Sequence, residues 1–450
     1  MESLLDRVLK KIKPSEREIE RARELFDMLK KELEPYFRDI NASIQLHGSI
    51  EKGTALSGDL DLDIFILIPS ELGKDWIKRE FIMRAKRALE KYDPEERYAE
   101  HPYLRVKFEG VEADIVPALR VSDARASITA VDRTPFHTEL IKKILDDKMR
   151  DEVRLLKRFM KGVGVYGAEI KVGGFSGYLT ELLIAKFRSF LSVIREVSRW
   201  RGRVVVTLDK TEDERVLKRI FRDAVLIYPD PVDPRRNVAA AIRRETLSRF
   251  ILASKMFLEE PSEEYFFPSL PPTDLIKKSL EDKCSIIFEL KMIKRDSPDN
   301  IWGQLLRAKR RVYNTLETEG YEPIYVDVYW NERDNPIMYL EIPLEYCLKS
   351  ALARVVEGPY VDSEECINFV KKQIDLGEGF WIRDNRLYGY RKKSINDLIA
   401  KIENLTNIEN LRFNRFVDRE EFLKSLDKDY IMWLGEAVLK TPRFLFHRIR

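Results

Sequence analysis

Two aspartates one residue apart, Asp61 and Asp63, stand just before an unbroken apolar run from Ile64 to Ile68. Side chains two positions apart on a strand point to the same face, so both carboxylates are expected to leave one face together. Like charges held this close raise each other's pKa and repel each other. A bound divalent cation relieves that repulsion, and hard oxygen ligands of this kind suit Mg²⁺. The spacing therefore predicts a magnesium site.

A third acidic residue, Asp114, lies within a second strand-like run from Val111 to Val116. Attack of a hydroxyl on an α-phosphate builds negative charge on the attacking and leaving oxygens, and two metal ions roughly 4 Å apart stabilise both. We expect Asp61 and Asp63 to bind the metals and Asp114 to complete the site that activates the hydroxyl. The alternatives are a solvated acidic strand end and an ion pair between Asp114 and Arg105. Together the three acids favour a metal-dependent nucleotidyl-transfer site.

The dipeptide Gly48-Ser49 precedes these aspartates and has a rationale of its own. Glycine allows the backbone to approach a triphosphate closely, and the amide and hydroxyl of Ser49 can donate hydrogen bonds to its oxygens. Lys52 adds a positive charge to the same segment. A Gly-Ser pair alone is a turn in most proteins. The chain has no Walker sequence, so a P-loop ATPase is not supported.

A basic stripe is predicted on the helix that follows residue 150, where Arg154, Lys157 and Lys161 share one face. Such a stripe could hold a triphosphate or an RNA phosphate, and the alternative is an ordinary solvated helix face. Further basic clusters at residues 195–203 and 307–311 could follow an RNA backbone. Each of these clusters, taken alone, is more typical of ordinary surface.

The length, net charge and apolar runs of the chain limit the domain number, the kind of nucleic-acid surface and the location that can be expected. With 450 residues, the chain is expected to form about three domains of ~150 residues each. A net charge of only +3 means that any basic surface for nucleic acid must be local. The segment from Met1 to Lys13 lacks the apolar core of a signal peptide, and no run approaches the ~18 apolar residues of a membrane span. We therefore expect a soluble, cytoplasmic protein with no membrane segment.

The three cysteines, Cys284, Cys347 and Cys366, are far apart in the sequence and show no metal-ligand spacing. Neither a disulfide framework nor a zinc site is predicted from them.

The elements that must position the three acids are predicted from hydrophobic periodicity. The first part alternates helices with strands and resembles an α/β domain, with strands at 43–47 and 60–68, helices at 15–33 and 76–91, and a hairpin at 104–116. The middle third is mainly helical, with helices at 139–162, 178–197 and 237–257. The hairpin places Asp114 beside the strand of Asp61 and Asp63.

The carboxy-terminal part begins after a proline-rich linker that starts at Pro261. Its predicted order is strand, helix, strand, strand at residues 285–290, 302–319, 325–330 and 338–342. This order fits a small ferredoxin-like α+β module, a plan that often binds RNA but also occurs without that function. A hairpin at 380–390 and a helix at 395–402 are expected beyond it.

The spacing of Gly48-Ser49, Asp61, Asp63 and Asp114 resembles the nucleotidyltransferase superfamily that includes DNA polymerase β and the poly(A) polymerases. Longer phrases resemble the archaeal (class I) CCA-adding enzymes; they lie at residues 131–137, 152–157, 166–169, 174–179, 230–233 and 236–240. The resemblance is strong over residues 1–260 and weaker beyond. Two positions depart from the usual residue of the family, since Asp61 is commonly glutamate and Lys52 is often arginine.

The resemblance implies an α+β multidomain protein that rebuilds the CCA end of tRNA from CTP and ATP. A polymerase β-like catalytic domain would occupy residues 1–138. A helical middle domain in 139–260 would complete the nucleotide pocket, and 261–450 would bind the acceptor and T arms of tRNA. The residues that match nucleotide contacts in the family are Gly48, Ser49, Lys52, His137, Lys157, Tyr166 and Arg236, of which the last helps to read the base. The resemblance also implies Mg²⁺ and a homodimer.

The sequence leaves three alternatives to CCA addition. A poly(A) polymerase or an oligoadenylate synthetase would share the three aspartates, so the catalytic site alone does not exclude them. An RNA-binding protein with an inactive transferase domain would need none of these acids. The presence of all three carboxylates argues against that last possibility.

Overall fold

A five-stranded mixed sheet forms the centre of the amino-terminal region. This computed structural model describes residues 1–98, 102–108, 110–209, 213–294, 296–348, 352–424 and 427–449. The strands of the region are β1 (Ser43–His47), β2 (Leu62–Pro69), β3 (Glu95–Tyr98), β4 (Pro102–Phe108) and β5 (Val111–Arg120), and their order in the sheet is β1-β2-β5-β4-β3. The α-helices of the region are α1 (Glu2–Ile12), α2 (Glu16–Phe37), α3 (Gly48–Glu51), α4 (Gly73–Trp76) and α5 (Ile82–Ala88).

The central strand β2 is apolar on both faces because both of its faces are covered. Ile64, Ile66 and Ile68 are fully buried in a core that α2 and α5 also enter. On the opposite face, Phe65 and Leu67 form a smaller apolar cluster with Ala118 of β5. An uninterrupted apolar run is typical of a strand buried on both sides. Both the strand and the hairpin that the sequence predicted are confirmed.

A mainly helical region follows and belongs to the same compact unit, which comprises Met1–Ser269 and His447–Arg450. Its helices are α6 (Thr134–Ile144), α7 (Asp147–Val163), α8 (Gly177–Phe187), α9 (Phe190–Val197), α10 (Glu214–Ile220) and α11 (Arg244–Glu259). Its short strands are β6 (Val204–Val205), β7 (Leu226–Ile227), β8 (Pro229–Asp230) and β9 (Asp233–Asn237).

Three predicted helix boundaries in this region were wrong. The helix predicted over 139–162 is two helices, because Asp146 caps the start of α7 by accepting a hydrogen bond from the amide of Met149 at 2.8 Å. The helix predicted over 178–197 is interrupted at Arg188, whose φ of 73° lies in the left-handed region. The helix predicted from residue 237 begins only at Arg244, because the preceding segment forms the hairpin of β8 and β9.

The second compact unit comprises Leu270–Phe446. Its helices are α12 (Thr273–Glu281), α13 (Pro298–Thr318), α14 (Glu345–Leu348), α15 (Cys366–Asp375), α16 (Ile395–Leu405), α17 (Arg419–Phe422) and α18 (Lys428–Leu439). Its strands are β10 (Cys284–Met292), β11 (Tyr325–Tyr329), β12 (Ile337–Ile342), β13 (Leu352–Tyr360), β14 (Phe380–Arg383), β15 (Arg386–Lys393) and β16 (Leu411–Phe416).

The strands of the second unit form two antiparallel sheets. The larger has the order β11-β12-β10-β16, and the smaller, β13-β15-β14, lies between β12 and α16 in the chain. The predicted strand–helix–strand–strand order is confirmed by β10, α13, β11 and β12. Within the described residues, no helix is both long enough and apolar enough to cross a bilayer.

A disulfide in the second unit corrects the expectation that the cysteines are unpaired. Cys284 of β10 is bonded to Cys347 of α14, with their Cα atoms 5.5 Å apart and a sequence separation of 63. Sequence spacing gave no sign of this bond because it depends on how α14 approaches the end of β10. Cys366 is a free cysteine.

Loss of this disulfide should destabilise the second unit, because the bond closes a long loop in the unfolded chain. For a loop of this length, chain entropy alone corresponds to up to about 4 kcal/mol. Cys347→Ser should therefore lower the free energy of unfolding measured in denaturant, and a reductant should lower that of the wild type similarly. Cys366→Ser is the matched control. Equal stability of the two variants would show that the bond contributes nothing.

Candidate active site

The three predicted catalytic carboxylates converge at the start of two neighbouring strands. β2 and β5 run parallel, and their register places Asp63 directly beside Asp114. Asp61 stands two residues before Asp63, immediately ahead of the first residue of β2, so it precedes the strand instead of lying on it. The expectation that the hairpin brings Asp114 beside the other two aspartates is confirmed.

The electrostatics of this group show mutual repulsion between the acids. Burial of the carboxyl group raises the pKa of Asp63 to about 6, and the charges of Asp114 and Asp61 add to that shift. Lys52 and Lys157 act in the opposite direction. The pKa of Asp61 is also raised, first because its carboxyl is partly desolvated and then because Asp59 and other acids lie nearby. Additional positive charge would relieve this repulsion.

Part of that charge is supplied by Arg105 of β4, the residue opposite Asp114 across the β4–β5 pair. Its Nε lies 2.7 Å from one carboxylate oxygen of Asp114, and its Nη2 lies 2.8 Å from the other. Arg105 also pairs with Glu112 at 3.0 Å. The ion pair that was the alternative interpretation of Asp114 is therefore present, and it stands beside the acidic cluster.

The donor set suits a divalent cation in its chemistry, since three hard carboxylates meet and the pKa values of two are raised by burial and neighbouring acids. Over the described ranges, however, no group of three or more His, Cys, Asp or Glu side chains is already arranged around a cation position. Each oxygen of Asp114 accepts one hydrogen bond from Arg105, so a metal bound there would compete with Arg105 for the carboxylate.

Gly48 is required by the position of Asp63. It has a φ of 70°, and a Cβ atom built on it would lie 1.7 Å from the Oδ2 atom of Asp63. Any side chain at position 48 would therefore displace the carboxylate, in addition to the strain of a left-handed backbone. This reason differs from the close approach to a triphosphate that the sequence suggested. Ser49 follows in the first turn of α3 and is partly exposed.

Lys52 and Lys157 are buried beside the carboxylates, with 9% and 3% of their surfaces exposed. Both interact with Glu181 of α8, which is fully buried. Sequence reasoning assigned no role to Glu181. The signal that could have found it is an acidic residue within the apolar helix predicted over 178–197, since buried carboxylates are rare unless they are paired.

The predicted basic stripe on α7 faces the catalytic domain instead of solvent. Arg154 donates to the carbonyl oxygens of Gly53 at 2.6 Å and Ala55 at 2.9 Å. Lys157 donates to the carbonyl of Thr54 at 3.2 Å, and Lys161 pairs with Asp59. The interpretation of the stripe as a solvated surface is wrong for Arg154 and Lys157, which are buried, whereas the Lys161 side chain is 29% exposed. All three cations bind the segment between Gly48-Ser49 and Asp61.

His137 and Tyr178 form a stacked pair, with ring centroids 3.9 Å apart. Both bind Asp230, because the Nε2 atom of His137 lies 2.8 Å from one carboxylate oxygen and the Tyr178 hydroxyl donates to the other at 3.1 Å. Tyr178 lies one helical turn before Glu181 on α8. Helix α8 therefore contacts His137 through Tyr178 and contacts both lysines described above through Glu181.

Two further predicted contacts lie around these groups. Arg236 is exposed on β9, and its charge lowers the pKa of the buried Arg133, an effect second to that of burial. Tyr166 is partly buried, and burial is the main cause that raises its pKa. Its hydroxyl lies close to Gly177, at the first turn of α8, where an added Cβ would stand 3.0 Å away.

Comparisons with known proteins match nearly the whole chain. A family model described as a nucleotidyltransferase domain matches residues 26–137. A second, described as the second domain of tRNA nucleotidyltransferase, matches 151–267, and a third, described as the C-terminal domain of CCA-adding enzyme, matches 283–418. The exact division into three domains at 138 and 260 stays a prediction.

Individual relatives agree with these matches. The CCA-adding enzyme of Sulfurisphaera tokodaii is 38% identical over 448 residues, which cover 98% of this chain and 99% of that protein. The CCA-adding enzyme of Saccharolobus shibatae is 37% identical over 86% of this chain and 88% of its own length. That of Sulfolobus acidocaldarius is 34% identical over 99% of this chain and 98% of its own length.

The raised pKa of Asp63 has a consequence for stability when divalent ions are removed with EDTA. Between its unfolded value of 3.8 and its folded value of about 6, the native state holds a proton that the unfolded state releases. The contribution to stability is therefore present below the unfolded pKa and is lost as the pH rises through 6. Asp63→Asn should remove this loss.

Urea unfolding in EDTA at about pH 5 and about pH 8 measures this effect. The free energy of unfolding of Asp63→Asn, taken relative to that of wild type, should be about 1 kcal/mol higher at the higher pH than at the lower one. Asp27→Asn, which removes an exposed carboxylate from α2, is the control. An identical difference at both pH values would contradict the assigned environment of Asp63.

Proposed function

This chain belongs to the CCA-adding enzymes, which makes it a tRNA nucleotidyltransferase, and we propose that Asp61, Asp63 and Asp114 are its catalytic residues and metal ligands. The observation that carries this proposal is the register of β2 and β5, which sets Asp63 beside Asp114. The two strands thereby bring acids that are distant in sequence to one end of a strand pair in which β2 is buried on both faces. The close packing of Gly48 against Asp63 fixes the position of that carboxylate.

The 3′-hydroxyl of tRNA gives up its proton to water, and its oxygen forms a bond to the α-phosphorus of CTP or ATP. The bond between the α-phosphorus and the bridging oxygen breaks, and pyrophosphate leaves with that electron pair. Bound divalent ions would stabilise charge on the attacking and leaving oxygens. Asp61 and Asp63 would hold them, and Asp114, once released from Arg105, would orient the attacking hydroxyl. Mg²⁺ as the ion stays a prediction.

The proposed nucleotide contacts are the groups that lie around the three acids. Gly48, Ser49, Lys52, Lys157 and Tyr166 would bind the triphosphate. The electrostatic effect of Lys52 and Lys157 on Asp63 supports this role. Glu181 offsets one of the two ammonium charges, and the triphosphate would offset the one that is left.

His137 and Arg236 would bind the nucleoside part. The stacked pair of His137 and Tyr178 is anchored through Asp230 and offers ring surface and hydrogen-bonding atoms. Arg236 lies exposed on the hairpin of β8 and β9 and has donors available for a base. Its charge is close enough to act on the buried Arg133 of the catalytic region.

The second unit would bind the acceptor and T arms of tRNA. The order β11-β12-β10-β16, with antiparallel pairing throughout, is that of a ferredoxin-like module and supports this part of the proposal. A match to the C-terminal domain of CCA-adding enzymes over 283–418 also favours this function over a poly(A) polymerase or an oligoadenylate synthetase. The homodimer and the cytoplasmic location stay predictions of the sequence.

Replacement of the acids tests the assignment. Asp61→Asn and Asp114→Asn should lower incorporation by about 1,000-fold, the scale of several kcal/mol of lost transition-state stabilisation. Affinity for tRNA should change little, because phosphate contacts elsewhere supply it. The assay uses labelled CTP and ATP with tRNA transcripts that end at the discriminator base.

The matched control is Asp27→Asn, which removes an exposed carboxylate from α2 and should retain most of the activity. The wild type should add three nucleotides and then stop. Wild-type rates in either acid variant would overturn the metal assignment. An open-ended A tail would instead contradict CCA addition itself.

A further inference from the structure

Glu181 is a fully buried carboxylate that connects three separate segments of the chain. One of its oxygens accepts a hydrogen bond from Lys52 Nζ at 2.6 Å, and the other accepts one from the Thr54 hydroxyl at 2.7 Å. Lys157 Nζ lies 3.6 Å from that second oxygen and donates to the Thr54 hydroxyl at 3.1 Å. The carboxylate thus stands between two ammonium groups that come from different segments.

The charges of this cluster depend on one another. Burial acts to raise the pKa of Glu181, but Lys52 and Lys157 outweigh it, so the pKa is lowered and the carboxylate stays ionised. Burial lowers the pKa of Lys157 to about 8, and Glu181 opposes that effect. Without the carboxylate, two buried ammonium groups would face each other with no directly paired counter-ion, which is a costly arrangement. With it, the cluster carries one net positive charge.

The cluster lies directly beside the acids of the active site. Lys52 follows α3, the helix that begins with Gly48-Ser49, and both lysines act electrostatically on Asp63. An ammonium group has three N–H donors, and Lys52 gives one of them to Glu181. An ammonium group that one hydrogen bond already holds in place loses less conformational freedom when a ligand binds.

We propose that Glu181 is a positioning residue for the nucleotide triphosphate, acting through Lys52 and Lys157. It holds both ammonium groups in place before the nucleotide arrives, and it keeps Lys157 charged within the protein. The proposal rests on the function proposed above, in which these lysines bind the triphosphate. Glu181 itself makes no contact with substrate, so its replacement should weaken only the binding of the triphosphate group.

A purely structural ion pair is the competing explanation, and the second unit contains a matched example. Glu341 is 4% exposed and also pairs with two lysines, Lys440 at 2.7 Å and Lys283 at 3.5 Å. Glu341→Gln therefore imposes the same chemical change on a buried carboxylate with two lysine partners outside the catalytic unit, where the lysine side chains are 23% and 31% exposed. It reports what the loss of such a carboxylate does to stability alone.

The experiment compares Glu181→Gln with Glu341→Gln and wild type in CCA addition. In Glu181→Gln, the KM for both CTP and ATP should rise about tenfold or more, while kcat changes by less than about threefold. The inhibition constant of inorganic tripolyphosphate should rise by the same factor as KM, and the Kd for tRNA should stay unchanged. Glu341→Gln should leave the KM values and the tripolyphosphate constant at wild-type levels.

A double-mutant cycle with Lys157→Met tests whether Glu181 acts through the lysine. If it does, adding Glu181→Gln to Lys157→Met should raise KM by much less than it does in the wild type. Additive effects, an unchanged KM, or tighter binding of tripolyphosphate would each overturn the proposal. Should Glu181→Gln not fold, Glu181→Asp keeps the charge while shortening the side chain, and its KM should rise by a smaller factor.

These outcomes separate the two proposals. If the wild type adds CCA while Glu181→Gln shows an unchanged KM, the positioning role fails and the proposed function stands. If the wild type does not add CCA to tRNA, the proposed function fails whatever the variants do.

Discussion

The repulsion between carboxylates gathered at the start of β2 and β5 is the constraint on which the amino-terminal unit depends. A parallel strand pair buried on both faces sets Asp63 beside Asp114 at a fixed distance, and these acids cannot separate without disrupting the sheet. Positive charge from three segments compensates them. Arg105 comes from β4, Lys52 follows α3, and Lys157 comes from α7.

The same requirement explains how the catalytic and helical regions form one unit. The cations of α7 bind the loop between α3 and β2 through its carbonyl oxygens and Asp59. Glu181 of α8 connects that loop to Lys157 through Thr54. The lysines that the sequence predicts to bind the nucleotide therefore also hold these two regions together. Binding of nucleotide and metal would act on an arrangement that is already close to charge balance.

Much of this was predictable from the sequence because it rests on short periodic patterns. The spacing of Asp61 and Asp63, the apolar run after them and the hairpin that carries Asp114 are local signals, and the structure confirms the strands. Contacts between distant segments were not predictable. Glu181 shows only as an acid in an apolar helix, and the bond between Cys284 and Cys347 depends on tertiary approach. Helix breaks at residues such as Arg188 were missed because apolar periodicity continues across them.

The central claim is that Asp61, Asp63 and Asp114 share divalent ions, and diffraction from crystals soaked with Mn²⁺ and CTP tests it most directly. Anomalous scattering locates manganese independently of any assumption about the ligands. The account predicts manganese between Asp61 and Asp63, with at least one oxygen of Asp114 turned from Arg105 towards it. Manganese bound elsewhere, or an Asp114 still bound through both oxygens to Arg105 beside an occupied metal position, would contradict it.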